Sequence, residues 1–265
     1  MNRPPVRLGA VGYLNSRPLV YGLDRSPRFA VRYDVPSRCA ALLHEGGIDV
    51  GLIPSIEYLR GGPYCVAPDL AIASNGPVAS VAIYTTKPMR DVTSIALDTS
   101  SRTSAALVRV LCERLYGIRP SFEAHGPTLP GMLARADAAL IIGDNALFLD
   151  ERQNGLEKID LGEAWTTMTG LPFVFAFWAG RPGALTPADV QALQHARDEG
   201  VERPAELARA YLPDRPERHE IAARYLRDNI KYRLGGGERA GLELFYRYAA
   251  EAGLVDRAGP IQLYS

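Results

Sequence analysis

Residues 11–18 (VGYLNSRP), 52–58 (LIPSIEY) and 98–104 (DTSSRTS) decide the fold. In each, an apolar run with strand character ends in hydroxyl- or amide-bearing residues and then turns into a helix. The N–H groups of a helix's first turn lack partners within the helix, and their dipoles favour an anion. Serine, threonine and asparagine add donors there without adding charge. Three such junctions imply a site for a small carboxylated molecule, placed where open parallel sheets gather ligands, at the carboxyl ends of strands.

Outward from these junctions, strand-like and helix-like runs alternate. Strand candidates are residues 6–11, 31–35, 48–53, 78–85, 95–98, 138–142 and 173–179. Between them, Ser37 can cap a helix running through His44, and Ala105, Val108, Leu111 and Leu115 repeat at helical spacing until Gly117. The alternation predicts an α/β protein with mostly parallel sheets covered by helices. Two strongly apolar runs, 78–84 and 173–179, read as crossing strands between two lobes. Residues 1–86 plus 176–265 then form the first lobe with a helical tail, 87–175 form the second, and the ligand lies between them. After Pro182 the pattern is helical only, over 187–199, 204–211, 217–232 and 238–251. Ile221, Ala222, Tyr225, Leu226 and Ile230 make one apolar stripe, so the tail packs on a lobe. Gly235-Gly236-Gly237 reads as a helix-to-helix turn, since no strand precedes it and no Lys-Ser/Thr follows.

The 265 residues are 47% hydrophobic and 23% charged, ordinary globular usage. Thirty basic residues balance thirty acidic ones, so no general field draws nucleic acid or an anionic membrane to the chain. Lys87, Lys158 and Lys231 are the only lysines; an arginine-dominated positive charge suits carboxylate recognition or reflects coding bias. Cys39, Cys65 and Cys112, odd in number and widely spaced, suggest neither a disulfide framework nor a zinc site. No signal-peptide core occurs in residues 1–12, and the longest apolar run, 171–179, is too short to span a bilayer. A cytoplasmic protein is expected unless a leader is processed away.

The segments VGYLNSRPL, DVGLIPSIEY, SNGPVASVAIYTT, LDTSSRTSAALVRVL, ADAALIIGD and DLGEAWTTMTGLPFVFAFW occur in this order. Together they closely resemble the chorismate dehydratase family of the futalosine route to menaquinone, over residues 6–181. YLRDNIKYRL and GLELFYRYAAEAGL fit that family's helical tail. The resemblance implies a two-lobed fold of the type II periplasmic-binding-protein kind, chorismate as a dicarboxylate substrate, and no metal or organic cofactor. The sister enzyme of the pathway, 1,4-dihydroxy-6-naphthoate synthase, shares the fold. It carries an SPCPNDTF-like first loop and a histidine-containing segment after the second-lobe strand. Tyr13-Leu14-Asn15-Ser16 and Gly143-Asp144-Asn145-Ala146 stand in those places here, which favours the dehydratase.

The implied reaction removes water from chorismate to give 3-[(1-carboxyvinyl)oxy]benzoate. A proton leaves ring carbon 3, hydroxide leaves carbon 4, and the ring becomes aromatic. Charge accumulates on the ring carboxylate as the proton departs, where each well-placed donor is worth about 3 kcal/mol. By this resemblance Asn15 is the catalytic candidate, with Ser16 beside it, and Ser80 stands where the family has a substrate-contacting serine. Ser100, Ser101, Arg102, Thr103 and Ser104 are candidates to hold a carboxylate, and Ser55 and Asp144 complete the set. For the serines and Thr103, helix capping competes or coexists with binding. For Asn15 function is favoured, because Tyr13 and Leu14 already meet the turn's packing needs. Asp144 suits a helix dipole whatever else it does, and capping is its favoured role. Glu57 could tether Arg17 or Arg102. Trp165 and Trp178 read as packing aromatics, and His44, His125, His195 and His219 as structural or exposed. With no protein base evident, the substrate's enolpyruvyl carboxylate is the expected proton acceptor.

Two non-enzymatic classes share such an architecture. A solute receptor calls for an export leader or lipid anchor, and a transcriptional regulator for a helix-turn-helix module before residue 6. Neither is expected from this sequence.

Overall fold

The computed structural model describes residues 3–149 and 155–265. Its first strands are β1 (Val6–Val11), β2 (Phe29–Asp34), β3 (Val50–Pro54), β4 (Cys65–Val66) and β5 (Ile72–Ser74). Then come β6 (Val81–Thr85), β7 (Ser94–Asp98), β8 (Ser121–His125), β9 (Ala138–Ile142) and β10 (Glu157–Asp160), and finally β11 (Phe173–Gly180). One sheet has the order β2-β1-β3-β11-β4, with β5 also on β11; the other has the order β10-β6-β9-β7-β8. β1 is parallel to β2 and β3, and β7 to β8 and β9. Against these parallel cores, β11 and β6 run antiparallel to β3 and β9. Every residue of β3, β6, β9 and β11 is buried, which is why these segments read as unbroken apolar runs.

The chain changes sheet in residues 75–80 and again in 170–172, because β6 lies wholly in the second sheet and β11 wholly in the first. These changes of sheet lie N-terminal of the lobe boundaries expected near 86/87 and 175/176. A strand buried at the centre of either sheet has the same apolar reading, so the run itself does not reveal which sheet holds it.

Helices α1 (Pro36–Glu45), α2 (Glu57–Arg60), α3 (Arg102–Arg114), α4 (Leu129–Leu133), α5 (Asp144–Leu147) and α6 (Leu161–Thr169) connect the strands. The first junction opens instead into a 3-10 helix, Leu14–Val20, with Pro18 inside it. In the tail, α7 (Pro187–Val201) and α8 (Pro204–Tyr211) are followed by α9 (His219–Arg224), which widens into a π turn over Tyr225–Asn229, and by α10 (Gly236–Glu251). Gly235 caps α10, its N–H donating to Glu238 at 3.0 Å, as a helix-to-helix turn requires. All three cysteines are buried and free, and burial pushes the Cys39 and Cys112 thiols up to about 12.

Hydrogen bonds tie the lobes on both flanks of the cleft. On one flank Arg102 Nη1 donates to Glu57 Oε2 at 2.6 Å, the Ile56 N–H to Thr103 Oγ1 at 3.2 Å, and the Ser37 N–H to the Ser100 carbonyl at 3.2 Å. On the other, Asp144 accepts from the Leu14 N–H at 3.2 Å and from the Tyr211 hydroxyl.

Glu57 is 1% exposed. Burial is the largest single influence on it and acts to raise its pKa, but His44, Arg102 and Arg60 together outweigh burial and hold it below the ordinary value. A depressed folded-state pKa contributes stability that is present above the unfolded value and lost as pH falls through the folded one. Glu57→Gln is expected to cost about 1–3 kcal/mol at neutral pH, and to flatten the loss of stability below the unperturbed value of 4.5. Denaturant unfolding at neutral and acid pH measures both. A second test concerns Gly200 in α7, where a Cβ would fall inside the backbone of Pro18. Gly200→Ala is expected to destabilise by about 1–3 kcal/mol through overpacking, with lowered activity because the displaced helix carries Asn15.

Candidate functional site

A cavity of about 490 Å³, counting the space at its mouth, opens between the two sheets. Its polar wall is Tyr13, Asn15, Ser80, Ser101 and Ser104, and its apolar wall includes Val11, Ile72, Val78, Ile142 and Phe175. Among the described residues, no charged side chain and no histidine lines it.

Asn15 sits in the first turn of the 3-10 helix, and its Oδ1 is buried without a hydrogen-bond partner. An unpaired buried amide oxygen costs roughly 1–3 kcal/mol unless a ligand group meets it. Ser80 is 1% exposed and closes a three-residue turn, its N–H donating to the Val78 carbonyl at 2.8 Å. The turn's central residue, Ala79, has φ +63°, uncommon and strained for a residue with a Cβ. The Asp160 carboxylate holds it there, accepting from the Val78 N–H at 2.9 Å and the Ala79 N–H at 2.6 Å. The Ser80 carbonyl in turn accepts from Gly143 N–H at 2.8 Å, and its Oγ lies 2.7 Å from the Tyr225 hydroxyl.

Ser101 is the N-cap of α3: its Oγ accepts from the Ser104 N–H at 3.3 Å and donates to Ser104 Oγ at 2.8 Å. Capping and cavity lining thus coexist at Ser101. Positions 101 and 104 share a face, one helical turn apart. Arg102 and Thr103 point elsewhere for the same geometric reason. Arg102 reaches Glu57, and Thr103 is buried against Ile56 and Ser55.

The remaining candidates do not line the cavity. Ser16 is buried, with its Oγ toward the carbonyls of Val11 at 2.5 Å and Tyr13 at 2.9 Å. It is adjacent to Asn15 and so faces another side of the 3-10 helix. Ser55 Oγ donates to the Val174 carbonyl at 2.8 Å, fastening β3 to β11 behind the wall. Ser100 folds onto Asp98, its Oγ donating to Oδ1 at 2.6 Å. Asp144 spans the lobes rather than capping α5 through its side chain. Burial, the largest influence, raises its pKa, opposed by Tyr211, Leu14 and Arg17. Glu57 tethers Arg102 and not Arg17, whose guanidinium lies 4.8 Å from the ring centroids of both Tyr33 and Tyr211.

Two tyrosines join the site without having been singled out for it in the sequence. Tyr13 lines the cavity, and the positive φ of Gly143 brings that backbone so close that a Cβ would meet the Tyr13 ring at 3.0 Å. Burial first of all raises the Tyr13 pKa, with Asp98 and Asp144 adding to it against a Ser100 hydrogen bond, so the phenol remains a donor. Tyr225 belongs to an apolar stripe in the sequence, and only the fold brings its hydroxyl to Ser80.

Residues 6–251 match the menaquinone biosynthesis family model. The chain is 33% identical over 258 residues to the chorismate dehydratase of Thermus thermophilus, covering 91% of this chain and 94% of that one. It is also 33% identical over 175 residues to the chorismate dehydratase of Campylobacter jejuni, covering 63% and 64%. Among solved structures, an Archaeoglobus fulgidus protein superposes with a TM-score of 0.78 at 16% identity, over 96% of this chain and all of that one. The periplasmic aliphatic sulphonate-binding protein of Escherichia coli does so at 0.69 and 16% identity, over 98% and 96%, which places the fold in the binding-protein class. The chain belongs to the menaquinone biosynthesis family, among relatives that are chorismate dehydratases.

Proposed function

We propose that this chain is a chorismate dehydratase of the futalosine route to menaquinone, working in the cytoplasm as a carbon–oxygen lyase. The observation that carries the reading is the partnerless Oδ1 of Asn15 in an uncharged cavity shared with Ser80, Ser101 and Ser104. Ser104, whose hydroxyl proton is left free by the bond it accepts from Ser101, holds one substrate carboxylate at the N-terminus of α3, with the helix dipole behind it. Asn15 and Ser80 grip the hydroxyl on carbon 4. The cavity wall offers no protein base, and the substrate's enolpyruvyl carboxylate, held against carbon 3, takes the proton. As that bond breaks, electrons move through the diene toward the ring carboxylate, and departure of hydroxide from carbon 4 completes the aromatic ring.

The alternative of a receptor for a small carboxylate differs in outcome. Incubation with chorismate yields a product lighter by one water if the reading is right; chorismate bound tightly and recovered intact overturns it. Asn15→Ala is expected to lower kcat by about 100-fold or more while KM moves little, because the carbon 4 hydroxyl is no longer oriented for departure. Steady-state kinetics measures the split.

A further inference from the structure

The Tyr225 hydroxyl lies 2.7 Å from Ser80 Oγ, a distance at which one of the two must donate to the other. The choice matters, because a serine hydroxyl has a single proton. If Ser80 gives it to Tyr225, only lone pairs face the cavity, and they repel a departing hydroxide. If Tyr225 gives its own, the Ser80 proton is free to meet that oxygen.

Three features favour the second arrangement. Tyr225 is 2% exposed, and burial, the dominant influence on it, raises its pKa and keeps the phenol protonated, so it has a proton to give. A phenol is also a better donor than an alkyl hydroxyl, by virtue of its greater acidity. Finally, the tail departs from α-helix at this residue. The Ile230 N–H bonds back to the Tyr225 carbonyl at 3.3 Å, across five residues, and π turns of this kind are concentrated at functional sites.

We infer that Tyr225 is a positioning residue whose phenol donates to Ser80 Oγ and so turns the Ser80 hydroxyl proton into the cavity. Asn15 Oδ1, buried and without a partner, stays available to substrate beside it. Tyr225 and Ser80 then form a directed pair ending at the leaving oxygen. The inference rests on the dehydratase reading of the cavity.

A double-mutant cycle on chorismate turnover tests it. Tyr225→Phe, which keeps the ring, is expected to lower kcat about tenfold with KM nearly unchanged, and to have an effect of less than about twofold in a Ser80→Ala background. Equal effects in the two backgrounds, or unchanged kcat in the Ser80-containing chain, overturn the inference and leave the dehydratase reading standing. Ser80→Ala with undiminished turnover overturns the Ser80 role in that reading as well. Should Tyr225→Phe fold poorly by thermal melting, a fluorinated tyrosine at 225 keeps ring and hydroxyl and strengthens the donor. It is expected to hold or raise kcat, and a tenfold fall in a folded chain overturns the proposal.

Discussion

The Asp160 carboxylate accepts from four backbone N–H groups, two in the turn that precedes Ser80 and two in the first turn of α6. One side chain thereby caps a helix of the second lobe and fixes the chain's crossing between lobes. Its charge offsets the left-handed conformation of Ala79, which delivers Ser80 to the cavity rather than into the sheet. The crossing lies so tightly on α6 that a Cβ at Gly162 would strike Ser74, Gly76 and Val78. Ser80 is thus aimed by backbone geometry, and the polar wall opposite has something fixed to work against.

A cavity with neutral walls suits the chemistry proposed for it. Charge is already present on the substrate's carboxylates and moves during the reaction. A fixed cation would bind the ground state strongly and gain little as the charge relocates, whereas oriented neutral dipoles gain where charge develops. The hydroxyls of Ser80 and Ser104 are such dipoles, while the Asn15 oxygen accepts from the substrate hydroxyl and orients it.

Much of this was legible in the sequence, for identifiable reasons. The three strand-to-helix junctions and the long apolar runs survive because buried central strands and the turns that end them depend on local pattern. β4 and β5 were missed because they are two and three residues long, and β8 because its residues are mostly exposed and carry no alternation. Within DTSSRTS, the spacing of 101 and 104 already held the face that lines the cavity, while composition alone put Arg102 and Thr103 beside them. Ser16 and Ser55 carry the right functional group and spend it on backbone carbonyls, which residue type does not disclose. Tyr225 is 145 positions from Ser80, and nothing local announces that contact.

Charged residues, excluded from the cavity wall, instead form the ties that flank it. Glu57 with Arg102 on one side and Asp144 with Tyr211 on the other bridge the lobes beside the cavity. Asn15 comes from the first lobe, Ser101 and Ser104 from the second, and Ser80 from the crossing between them, so the polar wall draws on both lobes. The helical tail participates at both points through phenols, Tyr211 on the clasp and Tyr225 on the cavity serine. An element whose sequence reads as a packing layer is in this fold the support for both the tie at Asp144 and the polarity of Ser80.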